Sequence, residues 1–133
     1  MSATPEDWGM LRMLVERAGA GDREAYRDCL ARFEVERVGY LLDVAHAETA
    51  SAARAACDGR VPEAADRERI LTLIRQGQTL LGRTGPDEVF ALIVDEVCGV
   101  PTQATGFDLA ELVVAYPVAI AALRRSGAPA TTP

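Results

Sequence analysis

Apolar side chains recur every three or four positions along most of the chain, and this helical period constrains the fold more than any other feature of the sequence. Six segments carry the pattern, and none convincingly alternates apolar and polar residues as a half-buried strand does. Each segment leaves an apolar face that only a neighbouring helix can cover. In a chain of 133 residues, the pattern predicts an all-α fold, a single-domain bundle of five to six helices with short loops.

Capping residues and breakers predict where the helices begin and end. Thr4 followed by Pro5 indicates the start of the first helix, and Asp22 indicates the start of the second. The apolar face loses its register between residues 33 and 36, so we expect a break there, followed by a third helix that runs to Ala56.

Three later positions carry their own expectations. Thr49 and Ser51 compete for backbone hydrogen bonds, which leaves open whether the third helix is continuous. Pro62 favours a fourth helix that starts near it. Pro117 lies within the sixth apolar segment, where it should kink or split the helix. We expect residues 1–126 to form the helical domain and residues 127–133 a flexible tail.

The termini, apolar runs and cysteines predict a cytoplasmic protein. The acidic start MSATPEDWGM lacks the basic and apolar regions of a secretory signal. The longest apolar run covers residues 112–123, which is shorter than the roughly 20 residues that a membrane helix needs. The three cysteines are odd in number and form no CxxC motif, which is unlike a secreted disulfide framework.

Composition and charge exclude several classes of function. Lysine does not occur in the sequence, which excludes a P-loop lysine and a Schiff base. The net charge is −6, whereas nucleic-acid binding normally needs a basic surface. We therefore expect no cofactor, no nucleic-acid partner and no membrane partner.

The only histidine, His46, is the first residue to test for chemistry. Asp43 precedes it by three positions, so the two side chains share a helix face. The favoured interpretation is a local Asp–His contact, with a pH-sensitive or catalytic histidine as the alternative. The spacing between His46 and the three cysteines contains no short chelating loop, so no metal site is expected.

Acidic residues are segregated from basic ones in the last third of the chain. No basic residue lies between Arg83 and Arg124, a stretch that contains six carboxylates. The first interpretation is that carboxylates in the first turns of helices stabilise the helix dipole. Asp95 and Glu96 have no such role and are the strongest candidates for contacts with a basic partner, followed by Asp87 and Glu88.

The sixth apolar segment is apolar almost all the way round, so it must be covered on most sides. Either it is the central helix of the bundle, or a second copy of the chain covers one side. These patterns favour a small interaction module, an accessory, regulatory or adaptor protein that binds a protein partner through an acidic helical surface and is not an enzyme. The alternative is a small-molecule-binding bundle or minor enzyme whose pocket opens at the Pro117 kink, with the Tyr116 hydroxyl and His46 as its polar groups.

Overall fold

The computed structural model describes residues 3–78, 87–100 and 109–127. In these residues the backbone forms helices and no strand, which confirms the all-α prediction. The six α-helices are α1 (Pro5–Ala20), α2 (Arg23–Ala31), α3 (Val38–Ala56), α4 (Arg67–Gly77), α5 (Asp87–Val97) and α6 (Leu109–Gly127). Short 3-10 turns precede α3 at Val35–Arg37 and α4 at Ala64–Asp66. Of the predicted tail, only Gly127 is among the described residues, as the last residue of α6.

The first two helices begin where the capping residues predicted. The backbone N–H of Thr4 donates to Oδ2 of Asp7 at 2.8 Å, which closes the first turn of α1. Asp22 caps α2 by accepting a hydrogen bond of 3.0 Å from the backbone N–H of Ala25. Between them, Gly21 has φ 72°, the left-handed conformation that lets the chain leave one helix and enter the next.

The chain breaks after α2 as expected, and α3 is then continuous. Thr49 does not interrupt it, because its buried hydroxyl donates to the carbonyl of Ala45 one turn earlier, at 2.7 Å. Such a bond satisfies the hydroxyl without removing the residue from the helix. The question that the sequence left open is therefore answered by a single helix of 19 residues.

The fourth helical segment begins close to Pro62, as predicted, but its first residues, Ala64–Asp66, form a 3-10 turn, and the α-helix itself begins at Arg67. The Asp66 carboxylate accepts a hydrogen bond from the backbone N–H of Glu63, and Arg60 donates to both of its oxygens at 2.8 Å. These contacts hold the Asp66 pKa well below its ordinary value, with the Arg60 hydrogen bonds as the largest cause. These contacts cap the 3-10 turn that leads directly into α4.

Helix α6 is the central helix of the bundle, in agreement with the first of the two interpretations of its apolar sequence. It packs against α1, α3, α4 and α5, and from Ala115 to Leu123 every residue except Ala121 is buried. Small residues let α4 come close, since a Cβ on Gly77 would lie 2.7 Å from the carbonyl oxygen of Ala122. Pro117 lies inside α6 without splitting it. The predicted split is therefore wrong, and the packing of α6 against its neighbours stabilises the helix on both sides of the proline.

Candidate functional site: an apolar groove and a three-helix polar cluster

The structure gives the four acidic candidate residues different surroundings. Asp95 pairs with Arg67 of α4, which donates from Nε to Oδ1, and its side chain is only 14% exposed. Glu96, the next residue, and Glu88 are exposed. Asp87 begins α5, and its side chain lies outside the described part of the structure. Asp95 therefore joins α5 to α4, whereas Glu88 and Glu96 face solvent.

Glu96, a candidate for partner binding, lies next to His46 and Tyr116, which the sequence suggested as polar groups of a small-molecule pocket. The hydroxyl of Tyr116 donates to Oε2 of Glu96 at 3.3 Å, and Nδ1 of His46 lies 3.9 Å from the same oxygen. We call His46, Glu96 and Tyr116 the three-helix polar cluster, because they come from α3, α5 and α6. The prediction of a local contact between Asp43 and His46 is wrong. The tertiary packing of α3 against α5 gives the imidazole a different carboxylate.

The chemistry available to this cluster is limited by its exposure. Burial raises the pKa of Tyr116, and the neighbouring Glu96 raises it further, so the hydroxyl stays protonated near neutral pH and acts as a donor. The His46 and Glu96 side chains are nearly half exposed. Ion pairs at such sites contribute roughly 0–1 kcal/mol. The cluster is therefore a polar link between helices, with no described cavity beside it.

The cysteines are buried and free in the structure. Burial is the largest cause that raises the pKa of Cys29, Cys57 and Cys98, so each remains a neutral thiol near pH 7. Among residues 3–78, 87–100 and 109–127, no group of three or more His, Cys, Asp or Glu side chains is arranged to hold a metal ion.

The described residues form an apolar groove of about 440 Å³ that none of the predicted site residues lines. The end of α2, the 3-10 turn and the start of α3 form one wall, and the first turns of α6 form the other. Two of the lining residues are unusually exposed for their type: Val35 is 76% and Leu109 is 52% exposed. The lining residues are Leu30, Phe33, Val35, Val38, Leu109, Ala110, Val113 and Val114.

A buried hydroxyl joins the two walls of the apolar groove. Tyr26 of α2 donates a hydrogen bond of 2.6 Å to the carbonyl oxygen of Val114 in α6. Burial raises the pKa of Tyr26 far above its ordinary value, so the hydroxyl is always a donor. Val113 and Val114 lie one turn before Pro117. The cavity thus lies close to the position that the sequence suggested, but the hydroxyl that joins its walls comes from Tyr26 rather than Tyr116, and neither tyrosine lines it.

No charged residue in the described part of the chain lines the apolar groove itself, but the exposed charged residues next to its lining residues in the chain are mostly acidic. Glu34 and Glu36 flank Val35 in the chain, Glu111 follows Ala110, and all three are exposed. Arg32 is the exposed basic residue beside them. Arg37 precedes Val38 in the chain, but its guanidinium donates to the buried Asp7 carboxylate at 2.5 Å and lies 4.1 Å from the ring centroid of Tyr40.

A second, smaller cleft of about 110 Å³ lies between α1, α3 and α6. Trp8, which is partly exposed, and Arg12 line it from α1. Arg124 lines it from α6 and donates to Glu48 at 2.5 Å. Arg124 is thus already paired with Glu48, which makes this cleft a weaker candidate for a binding site than the apolar groove.

Sequence reasoning missed the apolar groove, although one signal for it was available. The sixth segment is apolar all round, yet only its later turns are enclosed in the structure. The wall opposite comes from residues 33–38, where the apolar register is lost, so no helical pattern marks it as a surface.

Comparisons with known proteins add no assignment: no protein-family model, no curated protein and no solved structure matches the chain. Within the described residues, every helix is too short or too polar to cross a membrane.

Proposed function

We propose that this protein is a small interaction module that binds a protein partner by taking the partner's apolar side chains into the apolar groove. The observation that carries the proposal is the groove itself, a cavity of about 440 Å³ with Val35 and Leu109 exposed on opposite walls. A contiguous apolar surface that remains exposed on a folded protein is typical of an interaction site. The three free cysteines fit a reducing compartment, so we propose a cytoplasmic location.

The proposal keeps the class of function that the sequence favoured and changes the main contact surface. Glu88 and Glu96 remain exposed and serve as secondary polar contacts, and we include Asp87, which directly precedes Glu88 in the chain. Asp95 supports this face through Arg67. Rim charges of this kind mainly set the rate and specificity of association, whereas buried apolar contacts hold the complex.

Charge substitutions in the apolar groove test the proposal. Val35→Asp and Leu109→Asp introduce charge at exposed positions, so the fold should be retained. Val61→Asp is the matched control, because Val61 is 61% exposed and does not line the groove. A partner is first recovered with the wild-type chain and purified. It should bind the first two variants at least tenfold more weakly than it binds the wild type, and it should bind the control as tightly as the wild type. Equal affinity for all four proteins would contradict the proposal.

The second candidate function is binding of a small apolar molecule in the same place. The volume of the groove falls within the roughly 300–1,000 Å³ of small-molecule sites, and the groove lies beside the turn before Pro117. The side chains of His46 and Tyr116 do not line it. A ligand screen followed by melting temperature separates the two functions. A ligand-dependent rise that Leu109→Asp removes would favour the small molecule.

A further inference from the structure

We infer that the occupant of the apolar groove is an amphipathic α-helix of the partner, with basic residues flanking its apolar face. The inference rests on the proposed function and names the chemistry of the partner. Three properties of the groove support it: the backbone of its walls, the spacing of its lining residues and the charge around it.

The backbone of the walls favours a helix over an extended peptide. An extended peptide satisfies its own backbone N–H and C=O groups by pairing with a strand edge. Helices and a 3-10 turn form both walls, and the part of the chain that the structure describes contains no strand. A partner helix forms its backbone hydrogen bonds internally, so it can enter an apolar groove without leaving polar groups unpaired.

The lining residues of α6 have the spacing that a partner helix requires. Leu109 and Val113 are four positions apart, as are Ala110 and Val114, so the two pairs form adjacent ridges along α6. Side chains of a second helix pack between such ridges. The apolar first turns of α6 would then be covered on this side, as its later turns already are.

The charge around the apolar groove favours basic flanks on that helix. Among the exposed residues that adjoin the lining residues in the chain, Glu34, Glu36 and Glu111 outnumber Arg32, and the positive charge of Arg37 is already matched by Asp7. A second copy of the chain fits less well. In a two-fold dimer the same surface faces itself, which would bring these carboxylates towards one another.

Two synthetic peptides test the inference before the partner itself is identified. Each is a fluorescently labelled helix of about 18 residues with the same leucine face, one carrying lysine and the other glutamate on the flanks. We expect anisotropy titrations to show that the lysine peptide binds at least tenfold more tightly. Glu34→Gln with Glu36→Gln should reduce that preference, Leu109→Asp should abolish binding of the lysine peptide, and Val61→Asp should change neither.

Three results would overturn the inference. If both peptides bind equally and Leu109→Asp weakens both, the apolar groove is an interaction surface but its partner is not basic. If the lysine peptide binds Leu109→Asp as well as the wild type, its attraction is not to the groove. If sedimentation shows a dimer that Leu109→Asp dissociates, the occupant is a second copy of the chain. Circular dichroism of each variant confirms that the fold is retained.

Discussion

The hydroxyl of Tyr26 and the carbonyl oxygen of Val114 lie 2.6 Å apart and form a hydrogen bond between α2 and α6. The bond lies where α6 changes from an enclosed helix to the exposed wall of the apolar groove. It therefore fixes the distance between the groove walls, in addition to the stability that it contributes.

Tyr26→Phe removes this bond while keeping the buried ring. We expect the free energy of unfolding to fall by about 1 kcal/mol, because a partly buried hydrogen bond between two helices is lost. Urea denaturation measures the change. The lysine peptide should also bind more weakly, since the walls are no longer held together. A variant with unchanged stability and unchanged peptide binding would show that the bond does not position the groove.

Gly77→Ala tests the close approach of α4 and α6. The added Cβ would lie 2.7 Å from the carbonyl oxygen of Ala122 and 3.0 Å from its Cα, so one helix has to move. We expect a loss of about 1–3 kcal/mol in the free energy of unfolding. Gly9→Ala in α1 is the control, because a Cβ there meets nothing within 4 Å, and it should gain up to about 1 kcal/mol. Equal effects of the two substitutions would contradict this packing.

Adjacent carboxylates in α5 should respond differently to neutralisation. Asp95→Asn weakens the ion pair with Arg67 at a site that is mostly buried, so we expect a loss of about 1–2 kcal/mol. Glu96→Gln changes a half-exposed side chain and should alter stability by less than about 0.5 kcal/mol. Thermal and urea unfolding of both variants check this order. The reverse order would mean that Glu96, rather than Asp95, joins α5 to the bundle.

Asp7 predicts part of the response to acid. Its hydrogen bonds with Arg37 lower its pKa from the ordinary 3.8 to about 2. Because the folded pKa lies below the unfolded one, the stabilisation is fully present above about pH 4 and is lost as the pH falls towards 2. Asp7→Asn should therefore destabilise the protein at pH 7 and show less loss of stability on acidification. Glu16→Gln on the exposed side of α1 controls for net charge, and identical pH profiles for both variants would contradict the role of Asp7.

The sequence predicted the helices well because their signals are local. The caps at Thr4 and Asp22 and the break after Phe33 depend on nearby residues and on the apolar period. The 3-10 turn before α4 was not predicted, because its cap depends on Arg60 reaching Asp66 across six positions. Pro117 does not split α6, because a proline inside a helix can be tolerated where neighbouring helices pack on both sides of it.

The candidate site was less predictable, because it is formed by residues far apart in the chain. The partner of His46 is 50 positions away, and that of Asp95 is 28 positions away. The apolar groove joins Val35 to Leu109, and neither position carries a recognisable motif. Apolar residues can be counted from a sequence, but which of them remain uncovered is decided by tertiary packing.

Site-specific photo-crosslinking in the native cell tests the proposed interaction surface most directly. A photoreactive phenylalanine analogue replaces Val35 in one protein and Val61 in another, and mass spectrometry identifies the adducts. We predict that position 35 gives one discrete adduct with another protein, that Leu109→Asp in the same chain removes it, and that position 61 does not form it. If position 35 gives no such adduct, or the same adducts as position 61, the apolar groove is not the surface through which this protein binds a partner.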